Sequence, residues 1–426
     1  MASCTPTASA TAASGSSTVT ATRQKIAQIL RNGGPKLIQS GIQWTSGGSY
    51  LIAQAIDLSL PIRGIRMVFK GRLVIGTSAY ASVNPEGLLN LISNILIQGT
   101  NARQKGNVSL YSIDLATAWV APFLFGRAAN TFTISTTGAG GDASVPDPGT
   151  PFPAAGTSVP NRAAGYMNGA TGTYDFVITC DFPFHPWQSN ALGKQPGSQL
   201  AFLVRNEEWK DSLQIQFQFA TVAGGATPSA LGTGASGTTV TFSAYGSGSG
   251  NPTIDVYSLP MLMGLKYKDT VLPGVLSRTT QQINAVLQSA ASNITLANLQ
   301  KQPTPRVIFK SGVSTVAPAF SSLDALTNVS TLGVSLGGNR NVRNNVDLRA
   351  HKVQQPDFYD VSPIQGYAVM DFMEQGNPDS SFDGQNIGDG ATFQLVGTVA
   401  GVSNGFGLVL QEQILHTPTG SLLANG

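Results

Sequence analysis

A chain of 426 residues is longer than one hydrophobic core ordinarily serves, so two or more domains are expected. Charged residues are 11% of the chain, against a usual share of about 25%, and the formal net charge is only +3. With 41% hydrophobic residues the bulk of the chain is not disordered. The absence of a basic run that could neutralise many phosphates argues against genome packaging or sequence-specific nucleic-acid binding.

The longest nearly apolar segments, around Ala116 to Phe125 and Leu88 to Ile97, fall short of the roughly 20 residues that span a bilayer. No basic n-region followed by an apolar h-region opens the chain, so a secretory signal is not expected. Cys4 and Cys180 are the only cysteines; Cys180 lies in a strand pattern and reads as a buried free thiol rather than half of a disulfide.

Residues 1 to 20 are almost wholly Ala, Ser and Thr, too poor in apolar area to offset their own ordering entropy, and read as a mobile arm. Thr22 can cap a short helix from Arg23 to Arg31, with Ile26, Ile29 and Leu30 on one face and Gly33 and Gly34 as the stop. The basic residues Arg23, Lys25 and Arg31, with Lys36 just beyond, would then face an anionic membrane or a neighbouring subunit. The whole segment 1–34 is expected to stay outside the main cores.

From Ile42 onward strand patterns dominate: 42–58, 62–76, 107–115, 130–136, 173–184, 199–205, 213–222, 238–245 and 252–259. Short strands separated by Gly- and Pro-rich turns indicate an antiparallel sandwich. The clearest pattern lies between Ile62 and Ile75, where Ile65, Met67, Phe69, Leu73 and Ile75 alternate with Arg66, Lys70 and Arg72. After it, Asn84 suits a helix N-cap, Pro85 the first turn, and Leu88, Leu91, Ile92, Ile95 and Leu96 an apolar helical stripe. Residues 137–172 and 223–237, rich in Gly, Ala, Thr and Pro, are too long for hairpin turns and read as surface loops.

A second helix is expected from Val275 to Gln288, with Leu276, Ile283, Val286 and Leu287 on one side, as part of a connector over 269–302. The strand pattern resumes beyond Pro303 and repeats the earlier layout. Leu200 to Phe219 is echoed by Tyr367 to Val399, and Ile254 to Leu259 by Gly407 to Leu415. The matching order predicts two similar sandwiches side by side, 35–268 and 303–426.

The stretch LPIRGIRMVFKGRLVI from Leu60 to Ile75, then PEGLLNLI from Pro85 to Ile92, carries a family resemblance. So does the ending, in which Asp371-Phe372, Phe393-Gln394-Leu395 and Leu408 to Ile414 follow one another. Over roughly residues 40 to 420 the chain resembles the double jelly-roll major capsid proteins of tailless icosahedral viruses, the tectivirus, corticovirus and adenovirus lineage. The resemblance implies an all-β fold of two jelly-roll sandwiches with short helices, loops that tower outward, and trimeric pseudo-hexagonal capsomers tiling a shell. It implies a virion protein made in the host cytoplasm, with itself, penton and minor capsid proteins as partners and an internal viral membrane as a further one. No enzymatic activity and no cofactor are implied.

The remaining constellations read blandly. Gly232 to Gly237 matches a dinucleotide fingerprint in letters alone, because a loop precedes it and a strand follows. His185, His351 and His416 have no Cys or acidic partners at ligand spacing, and Glu207 and Glu208 beside Trp209 point to different sides. Asp379, Asp383 and Asp389 fit no EF-hand spacing, and the sequons at Asn107, Asn293 and Asn328 mean little without secretion. His185-Pro186-Trp187 reads as a packed turn. The rival functions are a viral spike or receptor-binding protein, a secreted carbohydrate-binding or carbohydrate-cleaving β-sandwich, and a capsid protein of another fold such as that of tailed phages. A carbohydrate-cleaving enzyme needs separated carboxylates in a cleft, and a spike usually carries a shaft or repeat.

Overall fold

The computed structural model describes residues 30–53, 56–84, 86–101, 106–125, 130–137, 142–144, 169–185, 202–204, 209, 213–263, 276–288, 292–295, 306–312, 331–336, 340–347, 367–371, 393–398 and 404–416. Its central strand is β4, and its neighbours are best named in chain order. They are β1 (Leu30–Asn32), β2 (Lys36–Gln43), β3 (Ser49–Leu51), β4 (Ile62–Gly76), β5 (Tyr80–Val83), β6 (Ile92–Asn101) and β7 (Gly106–Ile113). Then follow β8 (Thr131–Thr137), β9 (Asp142–Ser144), β10 (Gly172–Pro183), β11 (Gln214–Phe219), β12 (Gly232–Gly234), β13 (Thr239–Ser243) and β14 (Thr253–Met263).

Strand β4 follows the expected alternation from Ile65 to its end, after a change of phase at Gly64. Ile65, Met67, Phe69, Leu73 and Ile75 are buried while Arg66, Val68, Lys70, Arg72 and Val74 are half-buried on the other face. It pairs antiparallel with β10 on one side and with β14 and then β13 on the other. β10 alternates likewise, burying Tyr174, Phe176, Ile178, Cys180 and Phe182. Gly71 interrupts the bulky inner face because a Cβ there would lie 2.6 Å from the Pro252 ring and 3.0 Å from Phe176. Phe69 and Phe176 meet edge-on at 5.2 Å, and from the facing sheet Tyr111 meets Phe182 edge-on at 5.5 Å.

The sheet order follows from these pairings. Strands β2, β14, β4 and β10 are adjacent in one sheet, and β3, β11, β6 and β7 in the other. Numbering those strands by their appearance in the chain gives first-eighth-third-sixth and second-seventh-fourth-fifth, the jelly-roll arrangement of two Greek keys.

The second half repeats it. Its strands are β15 (Leu276–Gln288), β16 (Ser292–Thr295), β17 (Arg306–Gly312), β18 (Thr331–Leu336), β19 (Arg340–Asp347), β20 (Tyr367–Asp371), β21 (Phe393–Thr398) and β22 (Asn404–His416). They are ordered β15-β22-β17-β20 and β16-β21-β18-β19, the same permutation of first to eighth. Strand β15 also pairs in parallel with β7, through Thr280 opposite Tyr111 and Gln281 opposite Ser112. One eight-stranded sheet, β20-β17-β22-β15-β7-β6-β11-β3, thus runs from one sandwich into the other.

The internal echo is confirmed for the seventh and eighth strands, since β11 matches β21 and β14 matches β22. The sixth-strand counterpart of β20 is β10, however, and not the stretch 199–205, where Val204 makes a single bridge to Ile62.

Four expectations are corrected. Val275 to Gln288 is not a helix: from Leu276 it is β15, in unbroken register with β22 from His416 back to Asn404. Its Thr279, Thr280, Ile283 and Val286 are β-branched, and pairing with a full-length partner outweighs an ambiguous apolar spacing. The helix expected after Asn84 is a single 3-10 turn, Gly87–Leu91, after which β6 begins. Ile92, Ile95 and Ile97 are buried with half-buried residues between them, and β-branched isoleucines favour the strand. Asn84 caps nothing there; its Nδ2 donates to the Ser229 and Ala230 carbonyls at 3.1 and 2.8 Å. Leu30 and Arg31, placed at the end of the basic helix, belong to β1 on the edge of β14; residues 23–29 lie outside the described residues. The segment 223–237 is not all loop, since β12 pairs with β5.

The α-helix Leu115–Leu124, here α1, replaces the end of the strand expected over 107–115. The Asp114 carboxylate caps it by accepting from the Thr117 N–H, and every helical residue is buried. Pro122 sits inside and lacks the N–H that the Ala118 carbonyl would accept from. The Asn130 side chain fills that role: its Nδ2 donates to the carbonyls of Ala118 (3.4 Å) and Trp119 (2.9 Å), while its Oδ1 accepts from the Asp181 N–H of β10 at 2.9 Å. Replacing Asn130 by Ala takes the described partner from the Ala118 carbonyl and the Asp181 N–H in the core and is expected to cost about 1–3 kcal/mol, read from the midpoint of urea unfolding.

Candidate assembly surfaces and the contact between sandwiches

The outer face of the first sandwich follows from the register of β4. Arg66 lies opposite Asp181 and Arg72 opposite Asp175, so each guanidinium meets a cross-strand carboxylate through two hydrogen bonds, of 2.6 and 2.8 Å and of 2.7 and 2.7 Å. Lys70 reaches Asp255 of β14 at 2.9 Å. The other oxygen of Asp255 accepts from the Gly41 N–H at 2.9 Å, where β2 bulges and Gly41 takes φ +67°. Hydrogen bonding to Arg72, with the Gly246 N–H helping, holds the Asp175 carboxyl below its ordinary range, and Asp181 raises Arg66 in turn. Arg66, Lys70 and Arg72 therefore carry their charges as neutral pairs, while Arg63 beside them feels both Asp181 and Arg66.

The edges carry isolated apolar groups. Leu37 on β2 and Leu51 on β3 are each about half exposed, at 51% and 52%, and both strands lie at the margins of their sheets. Strands β1 and β2 follow one another along the same edge of β14, with the Gly33 N–H donating to the Pro260 carbonyl between them. Lys36 opens β2 and binds the exposed Asp57, whose carboxyl this partner pushes far below its ordinary value.

A different arrangement fills the contact between the sandwiches. On β17, Arg306, Ile308 and Lys310 point to one side, in register with Asp371, Val369 and Tyr367 of β20. Ile308, Val369 and Tyr367 join the core of the first sandwich. Lys310 Nζ lies 3.6 Å from Asp114 Oδ2 and 3.9 Å from Glu86 Oε1, and the Arg306 guanidinium lies 4.1 Å from the centre of the Phe125 ring. The side chains of Arg306, Ile308, Lys310, Tyr367, Val369, Glu86, Asp114 and Phe125 are buried.

No protein-family model matches the chain, and no curated protein matches it in sequence. Solved structures do match in fold. The major capsid protein of Sulfolobus Turreted Icosahedral Virus aligns with a TM-score of 0.52 and 14% identity, covering 92% of this chain and 97% of that one. The quasi-atomic model of the PBCV-1 virus capsid aligns with a TM-score of 0.50 and 10% identity, covering 92% of this chain and 95% of that one. The chain has the double jelly-roll fold of viral major capsid proteins.

Of the four basic residues singled out from sequence, the structure describes Arg31 and Lys36. Arg23 and Lys25 lie outside the described residues, Arg31 sits in β1 opposite Leu262, and Lys36 is spent on Asp57. Cys180 is a buried free thiol, pushed well above its ordinary pKa by burial and then by the Asp181 charge. Gly232 to Gly234 form β12 and a turn leads to β13 rather than to a helix. His185 and Trp209 are buried; Cys4, Pro186, Trp187, Glu207, Glu208, Asn328, His351, Asp379, Asp383 and Asp389 lie outside the described residues. His416 ends β22, Asn293 lies in β16, and Asn107, exposed on β7, bonds Gln98 at 3.4 Å. Among the described residues no three His, Cys, Asp or Glu side chains converge, and no helix is long and apolar enough to cross a membrane.

The paired outer face gives stability a pH dependence with a definite sign. A carboxyl whose folded pKa is depressed contributes above its unfolded value of about 3.9, and that contribution is lost as pH falls through the lower folded value. Asp175→Asn should therefore lower the urea midpoint at pH 7 and make a shrinking difference as the pH is taken from about 5 to about 2.

Proposed function

We propose that this chain is a major capsid protein, whose trimers form pseudo-hexagonal capsomers that tile an icosahedral shell. The observation that carries this reading is the pair of identically ordered eight-stranded sandwiches in one chain, a layout shared with viral capsid proteins over 92% of its length. Sparse charge over the sequence, and outer-face charges already paired within the sheet, agree with sides that neighbouring subunits cover. The proposed role is structural, with interface geometry in place of chemistry. Its partners would be further copies of itself, penton and minor capsid proteins, and a membrane beneath the shell.

Light scattering on a sizing column should give a trimer, and electron microscopy of assembled material should give closed particles; a stable monomer at high concentration would overturn the reading. Screens against glycan, ester and phosphoester substrates should be blank.

Arg23 and Lys25 belong, in this proposal, to a segment that serves assembly from the inner side of the shell. The folded part begins earlier than the expected boundary at 34, because β1 starts at Leu30. Deleting residues 1–29 should leave the melting temperature within about 2 °C, as surface changes do, and abolish closed particles. Deleting 1–34 should in addition lower it, since β1 is then lost from β14.

A further inference from the structure

The charges that meet between the sandwiches come from opposite sides of the contact. Lys310 and Arg306 ride on β17 of the second sandwich, whereas Glu86 opens the 3-10 turn and Asp114 caps α1 in the first. Arg306 is 0% exposed, Lys310 1% and Glu86 2%, so these are fully dehydrated charges. Leu88, Leu89, Leu91, Leu115 and Ala116, all buried, belong to the same turn and helix that carry the two carboxylates.

Apolar contact is non-directional and would permit several dockings of one sandwich on the other. A buried ammonium is far more selective, because taking it out of water is tolerated only where opposite charge awaits it. A slip of β15 on β7 that restores their parallel pairing would move the second sandwich by two residues, about 6.6 Å, and carry Lys310 away from both Asp114 and Glu86. The backbone link adds little restraint, since among the described residues β15 and β7 pair at only two positions. We propose that Lys310, set against Glu86 and Asp114, registers the second sandwich on the first: apolar contact supplies the adhesion and the buried charges select one placement.

The test uses the full chain with Lys310→Met and with the neutral triple variant Glu86→Gln, Asp114→Asn, Lys310→Met. Asparagine still accepts at an N-cap, so the triple variant keeps α1 capped. Two readouts are compared: the melting temperature, and the rate of tryptic cleavage after Lys266 or Lys268, which lie in sequence between β14 and β15. Lys310→Met removes the cation that faces the buried Asp114 and Glu86 carboxylates, so its melting temperature should fall and cleavage between the sandwiches should rise at least about tenfold. The triple variant should regain most of the melting temperature while its cleavage stays fast, because adhesion is restored without selection. A residue that only stabilised the fold would recover both together. If the triple variant is cleaved no faster than the wild type, the charges of Lys310, Glu86 and Asp114 do not set the placement and the proposal is overturned. Should Lys310→Met fail to fold, the triple variant decides by the same cleavage comparison.

Discussion

The fold depends on the register between β4 and β10. Side chains on a strand alternate with a period of two, so a slip of one residue would turn Arg66, Lys70 and Arg72 into the core and expose Met67, Phe69 and Leu73. Two features on opposite faces exclude that slip. Inside, Phe69 meets Phe176 edge-on while Gly71 leaves room for Phe176 and Pro252. Outside, Arg66 and Arg72 each chelate the carboxylate directly across the strand. Partly exposed ion pairs of this kind add little stability, but they make the wrong register expensive, and specificity is the larger effect. Once β4 and β10 are fixed, β14 adds on the other side of β4 and the remaining strands follow the same permutation.

Legibility in the sequence tracked how one-sided each element is. β4 has one wet face, so its alternation was read with both ends placed correctly, from Ile62 to Gly76. β6 and β15 read as helices because leucines and isoleucines at spacings of three and four imitate a helical stripe, and only their strand partners β7, β11 and β22 decide otherwise. α1 failed for the opposite reason. Buried on every side, it has no polar face to produce a period, and its one usable signal was Asp114 three residues before Thr117. The duplication itself was legible from the order of pieces, although the sixth strand was assigned to the wrong segment.

The contact between sandwiches left only one trace in the sequence, in β17. Glu86 and Asp114 lie some two hundred residues from Lys310 and Arg306 in sequence, and in isolation each looks like an ordinary surface charge. Glu86 even suits a helix start, and Arg306 and Lys310 flank an apolar Val-Ile-Phe core as solvated strand ends commonly do. Their burial exists only because a second sandwich closes over the turn and helix of the first. A sequence reveals a buried charge when its strand is apolar on both faces, and β17 is such a strand: Val307, Ile308 and Phe309 are all buried, which left no wet side for the basic residues next to them.

That difference between the two sets of charges bears on how such a molecule can assemble. The outer pairs of β4 are neutral, half-wet and fixed within one sheet, so they present neither a strong field nor a loose ion to a neighbour. The inner charges are dehydrated and lie between the sandwiches, where ions in the solvent screen them least. In the proposed shell, the described residues would offer a neighbouring copy shape and modest apolar groups at the margins, such as Leu37 and Leu51. Weak, self-neutral contacts suit a closed shell, because misplaced subunits can dissociate and rebind, provided that every subunit enters with the same shape. Rigidity inside the chain and softness between chains are therefore two sides of one requirement, and the buried charges sit where the first of these is set.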